Sequence, residues 1–394
     1  MMSPFICYSV SFVVVVLCYY LGWSGLYPAL SKSLAFFLIV TIALNIASSW
    51  FIKRRKPVSY KKLDAAKLPV ISTTVFIFIL WTAEFIYEGG IPLMKILLHL
   101  PFNYRLFGIP SLHVFVVTFS SFFTVYLFHL YLSKRTKLLL VLYLLNLSAA
   151  LLIYSRAMLF FNITGSLVVY FMTIRKILWP KVALMIAAIL ILFFFFGILG
   201  SLRVSREANE VYNNENFMDT GKATESFRNS FVPKEYFWTY IYMSSSLANL
   251  QYNIDEHPKP VTNATTITWT AIYECLPDFI TKRIHTLRGT TPAKEYRIGY
   301  SFNVSTIYSR AYSYSGWMGM IIVAVFSLAF PWLFTMGIKP ESDFFITGWA
   351  IVCTMYFFMS YDNTFRFTGL SFQLVYPILF SVFEKHFYRL QKYP

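Results

Sequence analysis

The sequence predicts an all-α polytopic membrane protein with about ten transmembrane helices and one large extracytoplasmic loop. Hydrophobic residues make up 57% of the 394 residues and charged residues only 13%, which is too little charge to cover such a chain in water. Apolar stretches of about 18 residues or more recur along its length, and each can cross a hydrocarbon core about 30 Å thick. The long stretch 203–315 has instead the mixed composition of a soluble segment.

The predicted spans follow the apolar stretches in chain order. The first stretch has no basic region before it and no small-residue cleavage site after it, so we expect it to stay as a helix. We place the spans at 5–22, 34–52, 68–87, 110–132, 138–154, 157–174, 180–202, 316–336, 343–361 and 367–384.

Basic residues between the spans predict the orientation, because such residues near span ends stay in the cytoplasm. The strongest cluster follows the second span and comprises Lys53, Arg54, Arg55, Lys56, Lys61, Lys62 and Lys67. Counting from there, every second gap is also basic and carries Lys134, Arg135, Lys137, Arg175, Lys176, Lys181, Lys339, Lys385, Arg389 and Lys392. The sequence therefore predicts an inner-membrane protein with both termini in the cytoplasm.

This orientation divides the chain into three parts. Residues 1–202 carry the first seven spans, 203–315 form the periplasmic loop, and 316–394 carry the last three spans and a cytoplasmic tail. The loop holds 12 basic and 11 acidic residues. Within it, 236–254 and 267–284 mix aromatic and polar residues, which is typical of helices at a membrane interface.

Charge and cysteine usage exclude several classes of function. The net charge of +16 is spread over short gaps between apolar runs, so it indicates topology and no nucleic-acid partner. Cys7, Cys18 and Cys353 lie inside apolar runs and Cys275 is alone in the loop, which leaves no disulfide and no cysteine metal site. We expect no metal and no other cofactor.

Arginines at the extracytoplasmic span ends are the first candidate binding residues, because the positive-inside rule predicts few of them there. A guanidinium group holds phosphate oxygens through two parallel hydrogen bonds, so these residues fit a lipid-linked phosphate or pyrophosphate. The alternative is that they contact ordinary lipid head groups or pair with loop acids, as Arg366 would with the nearby Asp362. The candidates are Arg156, Arg203, Arg206 and Arg310.

Four segments occur in the order seen in a known family. They are NLSAALLIYSRAMLFFNITGSLVVYF, GSLRVSRE, YIYMSSSLANL and NVSTIYSRAYSYSGWMGM. In these segments and in topology, most of the chain resembles the oligosaccharide repeat-unit polymerases of the O-antigen, or Wzy, type.

The resemblance implies a fold related to the O-antigen ligases and other polytopic glycosyltransferases with polyprenyl-linked donors, the GT-C class. It implies a metal-independent enzyme that passes a growing glycan from undecaprenyl pyrophosphate to a sugar hydroxyl of an incoming lipid-linked repeat unit. Arg156, Arg203, Arg206 and Arg310 would hold the donor pyrophosphate at the periplasmic face. The lipid bilayer and a polysaccharide chain-length regulator are the other expected partners.

The general base stays unassigned at this stage. The related ligases place a histidine near the start of the helix corresponding to 301–320, where this chain has Asn303, and asparagine cannot accept the proton. Four loop residues are candidates, although a solvated loop charge is the alternative for each. They are Glu274, Asp278, His285 and Glu295.

Three other functions are rivals. An O-antigen ligase uses the same donor with a lipid A core acceptor, and Asn303 argues against it. A flippase or transporter would carry ionisable or broken helices near the bilayer midplane, where these spans are almost uncharged. A scaffold of the assembly machinery would need none of the loop arginines for turnover.

Overall fold

The computed structural model describes residues 2–55, 58–98, 100–102, 107–174, 179–207, 215–258, 260–300 and 302–392. Within these ranges, the side chains of residues 181, 202–207 and 385–392 lie outside the description. The chain is all-helical, with 72% of residues in helices and no named strand in the described ranges.

The structure contains 17 α-helices in the described ranges. They are α1 (Pro4–Tyr19), α2 (Lys32–Arg55), α3 (Val70–Tyr87), α4 (Pro92–Leu97), α5 (Leu112–Lys134), α6 (Lys137–Leu152), α7 (Arg156–Thr173), α8 (Trp179–Glu207), α9 (Glu215–Thr220), α10 (Glu225–Arg228), α11 (Tyr236–Glu256), α12 (Ala264–Cys275), α13 (Asp278–Arg288), α14 (Ser309–Gly337), α15 (Phe345–Phe358), α16 (Thr368–Ser371) and α17 (Val375–Lys392).

Six of these helices have the length and composition to cross a membrane, namely α2, α3, α5, α7, α14 and the 182–201 part of α8. Helices α1, α6 and α15 are apolar but shorter. The tenth predicted span, 367–384, is divided among α16, a 3-10 turn (Phe372–Leu374) and the start of α17. The chain is thus consistent with a polytopic membrane protein, and the total of ten spans stays a prediction.

The helical body is built around α1, α5, α7 and α15. Helix α1 packs against α2 and α15, and α7 packs between α5 and α15. The Tyr8 hydroxyl on α1 lies 2.5 Å from that of Tyr308 and also donates to Thr41 on α2 at 3.1 Å. Because Tyr308 directly precedes α14, this buried contact fixes where α14 begins.

Helices α8 and α11 lie side by side and run in the same direction. The Tyr236 hydroxyl donates to the Leu190 carbonyl at 3.2 Å, and Thr239, three residues on, donates to Phe193 at 3.0 Å. The approach is very close at Gly200, where an added Cβ would lie 2.2 Å from the Trp238 ring. Most of α11 is buried against α1, α8 and α14. The location of α11 at a membrane interface stays a prediction. The division of the chain into three parts also stays a prediction.

The connections gather at two opposite ends of the body. At one end, Lys61 forms an ion pair of 2.7 Å with Asp343, just before α15. At the other end lie α12, α13 and residues 359–367, which follow α15. We call this second end the site end.

Helix α14 is broken near its start. Ser315 and Gly316 leave helical geometry, and Gly316 has φ +60° and ψ −144°, a combination that favours glycine. The Thr262 hydroxyl donates to the Ser315 carbonyl at 3.2 Å, so this carbonyl keeps a partner at the break. The turn before the break presents Arg310 at the site end, and the longer part continues where the sequence predicts a span from residue 316.

Candidate functional site

Helix α12 delivers the most deeply buried carboxyl group of the site end. Its N-terminus is fixed by a capping box, in which the Asn263 side chain accepts from the Thr266 N–H at 2.8 Å and the Thr266 hydroxyl accepts in return. Thr270 bonds to Ser315 on α14 at 2.8 Å. The next turn places Glu274 inside the protein with no exposed surface.

Glu274 is held by residues of the segment after α15. The Asn363 side-chain amide donates to both the backbone carbonyl and Oε2 of Glu274, each at 2.9 Å. Oε1 lies 3.7 Å from Nε of Arg366 and has no hydrogen-bond partner in the described part of the chain. Burial raises the pKa of Glu274 to about 8, against the lowering effect of Arg310 and Asn363. The protonated form of this carboxyl group is therefore favoured at pH 7.

The segment 289–308 carries the second carboxylate and is held in place by two amides on α11. Asn249 accepts from the Ile298 N–H at 2.9 Å and donates to the carbonyls of Phe302 and Val304. Asn253 accepts from the Tyr296 N–H at 2.8 Å and donates to the Ser309 carbonyl at 2.9 Å. Because these amides bond to the backbone on both sides of Arg297, directly after Glu295, that irregular stretch has a defined conformation.

Glu295 connects two arginines. Its Oε2 accepts from Arg297 at 2.8 Å, and its Oε1 lies 3.6 Å from Nε of Arg310. Its side chain is only 8% exposed, so the two cations offset the cost of burying this charge. Glu295 thus holds Arg310 by one edge of its guanidinium group.

Arg310 and Arg366 both keep their terminal nitrogens free. Nε of each lies 3.6–3.7 Å from a carboxylate oxygen, and neither makes a hydrogen bond through Nη1 or Nη2 to any residue the structure describes. Among the described residues, the buried atoms without a partner include Nε of each arginine but no Nη atom, and the two side chains are 25% and 13% exposed. Two planar forks are therefore available to an anion. We call Glu274, Glu295, Arg310, Asp362 and Arg366 the arginine–carboxylate cluster.

Asp362 is the exposed carboxylate of this cluster. Its Oδ1 accepts the backbone N–H of Asn363 at 2.7 Å. The surrounding protein crowds the carboxylate although water still reaches it, and this partial loss of hydration raises its pKa to about 6. A local pair between Asp362 and Arg366, which the sequence left open as an alternative, is not present among the described contacts: Arg366 pairs with Glu274.

Asp278 and His285, the other predicted base candidates, lie at the site end with other contacts. Asp278 begins α13, accepts from the Thr368 hydroxyl and forms an ion pair of 2.6 Å with Lys282. His285 stacks on the Tyr273 ring at 3.9 Å, and its Nδ1 lies 2.9 Å from the Thr290 hydroxyl. Burial, with Arg288 and Arg310, lowers the pKa of His285, which favours its neutral ring.

The other three predicted arginines are not brought into the cluster by any described contact. Arg156 is exposed at the first turn of α7, with its guanidinium 5.9 Å from the Tyr154 ring centroid. Five residues on, Phe161 contacts Phe367 beside Arg366, so this turn lies at the site end. The side chains of Arg203 and Arg206 lie outside the described residues. The convergence of Arg156, Arg203 and Arg206 stays a prediction.

Sequence reasoning missed Asn363 and underrated Asp362 and Arg366. A signal was available, because the stretch YDNTFRF places an acid, an amide and an arginine in a gap of a few residues between two apolar runs. Among the described residues, no group of three or more His, Cys, Asp or Glu side chains is placed to hold a metal ion.

Comparison with known proteins adds no relative. No family model matches the chain, and no curated protein or solved structure matches it.

Proposed function

We propose that this protein is a lipid-linked oligosaccharide polymerase of the inner membrane. It would transfer a growing glycan from undecaprenyl pyrophosphate to the sugar hydroxyl of an incoming lipid-linked repeat unit. The observation that carries the proposal is the pair of free guanidinium forks, on Arg310 and Arg366, beside the buried Glu274.

The charge state around Arg366 favours an anionic ligand. A carboxylate next to an arginine normally cancels its charge, but Glu274 is mostly neutral at pH 7 because burial raises its pKa to about 8. The positive charge of Arg366 is therefore largely not neutralised by Glu274 and can attract an anionic ligand. A pyrophosphate offers several oxygens to two such forks, whereas a neutral sugar would leave the cations unpaired.

The same cations serve the bond-breaking step. The acceptor hydroxyl oxygen attacks the anomeric carbon of the donor glycan, and the bond from that carbon to the pyrophosphate oxygen breaks. The electron pair leaves with the pyrophosphate, whose charge increases in the transition state. Arginines fixed by Glu274 and Glu295 stabilise this charge without reorganising.

The position of the cluster suits a lipid-anchored donor. Arg310 is the second residue of α14, which is long and apolar enough to span a membrane, and Arg366 lies between α15 and α16. A polyprenyl chain in the bilayer would present its pyrophosphate at this level. On the orientation that the basic residues predict, the site end faces the periplasm and both termini face the cytoplasm.

The experiment uses the full-length protein in lipid nanodiscs. Repeat units on undecaprenyl pyrophosphate, extracted from cells that lack this protein, are added, and products are separated by gel. Wild type should give a ladder of oligomers, and R310A and R366A should each lower its rate at least about a hundredfold. The matched control is R228A, because Arg228 is in ion pairs with Glu215 and Asp219 outside the cluster.

Cell-surface glycan separates the rival functions. Loss of a polymerase leaves single repeat units on lipid A core, whereas loss of a ligase or a flippase leaves none. Folded R310A and R366A proteins that both gave full ladders would overturn the proposal.

A further inference from the structure

The transfer step needs a group that removes the acceptor's proton, and the structure narrows the choice among carboxylates. Glu274 is fully buried and mostly protonated, with Asn363 on one oxygen. Glu295 is 8% exposed and shared between Arg297 and Arg310. Asp278 accepts from Thr368 and pairs with Lys282. Each of these three is thus held by other side chains.

Asp362 differs in accessibility and in partners. It is exposed, and its Oδ1 accepts the backbone N–H of its own neighbour, which leaves the second oxygen without a partner in the described part of the chain. Asn363 and Arg366, on the same turn, both contact Glu274. The turn that holds the leaving-group arginine therefore also presents a free carboxylate.

We propose that Asp362 is the general base that takes the proton from the acceptor sugar hydroxyl. The inference rests on the proposed transfer reaction and assigns a role that sequence reasoning left open. As the hydroxyl oxygen bonds to the anomeric carbon, its proton passes to Asp362, and the pyrophosphate departs with the electron pair of the broken bond. Water then removes the proton from the exposed Asp362.

The charges around Asp362 agree with this role. Arg310 faces it from α14 and favours the ionised form, whereas Glu295 and Asp278 oppose ionisation. Together with the loss of hydration, they raise its pKa to about 6. It is therefore mostly ionised at pH 7, yet a better proton acceptor than an ordinary aspartate.

The test compares initial rates in nanodiscs with the same extracted repeat units from pH 5 to 8.5. Wild type should lose rate as the pH falls through about 6, because protonation removes the base. D362N should be at least about a hundredfold slower. D362E should recover part of the rate, and the fall of its rate at acidic pH, which we call the acid limb, should occur at a different pH from that of wild type. The matched control is E256Q, since Glu256 is also exposed and acidic but belongs to α11.

Binding of undecaprenyl pyrophosphate, the product, separates the two levels of the argument. D362N should bind it as tightly as wild type, whereas R310A should bind it more weakly. If D362N showed a normal rate and an unchanged acid limb while R310A was inactive, the role of Asp362 would be overturned but the transfer reaction would not. The role of Asp362 would also be overturned if the acid limb disappeared in E295Q but remained in D362N. Full activity of both arginine variants would instead overturn the transfer reaction.

Discussion

Glu274 gives a test of the buried cluster that is independent of the proposed reaction. Burial raises its pKa from 4.5 to about 8, so the folded protein binds more protons than the unfolded chain between these values. The stabilisation from protonated Glu274 is complete below about pH 4.5 and is lost as the pH rises through about 8. Wild type should therefore become less stable as the pH rises over this window.

The size of the effect follows from the same shift. A change from 4.5 to about 8, at about 1.4 kcal/mol per unit, gives at most about 5 kcal/mol between pH 5 and 8.5. The E274Q variant removes the titrating group and keeps an oxygen that can accept from Asn363. Relative to wild type, its stability should rise with pH by up to this amount.

Thermal unfolding of the detergent-solubilised proteins measures the difference. Unfolding temperatures of wild type, E274Q and the exposed control E256Q are compared at half-unit pH intervals. The E256Q curve should run parallel to that of wild type, while the E274Q curve should be flatter. Equal slopes for E274Q and wild type would show that Glu274 is ionised in the folded protein, and the reasoning about its charge would fail.

Two further predictions concern other parts of the chain. G200L should lower the unfolding temperature, because an added Cβ alone would lie 2.2 Å from the Trp238 ring and overpacking costs about 1–3 kcal/mol. The control is G337A, where a Cβ meets nothing within 4 Å. An unchanged unfolding temperature for G200L would contradict the α8–α11 contact. R156A should leave stability unchanged, because Arg156 is exposed, but should slow polymerisation about a hundredfold if it joins the donor site, with partial recovery in R156K. A full ladder from R156A would remove this residue from the site.

The sequence predicts the helical body because the signal there is local. Apolar runs of about 18 residues or more predict the long helices of the body. The break at the start of α14 coincides with the beginning of the predicted span at residue 316. The division of 367–384 into α16, a turn and α17 was not foreseen, since an apolar run does not reveal a change of direction. The identity of Arg310, Glu274 and Glu295 as candidates came from their residue types and their nearness to span ends.

The pairing within the cluster could not be predicted from sequence. Proximity along the chain suggested Asp362 as the partner of Arg366, whereas the structure pairs Arg366 with Glu274. The physical reason is burial: a carboxyl group without exposed surface needs polar partners far more than an exposed one does, and Asn363 and Arg366 lie beside Glu274. Such a preference depends on which helices pack together, and that is a property of the whole fold.

The two amides on α11 bear on how the protein matures during synthesis. Asn249 and Asn253 bond to backbone that is made 43 to 56 residues later, and one of their partners, Ser309, already belongs to α14. Until that stretch has left the ribosome and packed against α11, the amide and carbonyl groups of the stretch have water as their partner. The site end is therefore assembled late, after the helices before it have been made, and a chain truncated before α14 would lack the Ser309 contact that joins α11 to α14. A nascent chain thus has no complete arginine–carboxylate cluster until the helix that carries Arg310 has joined the body.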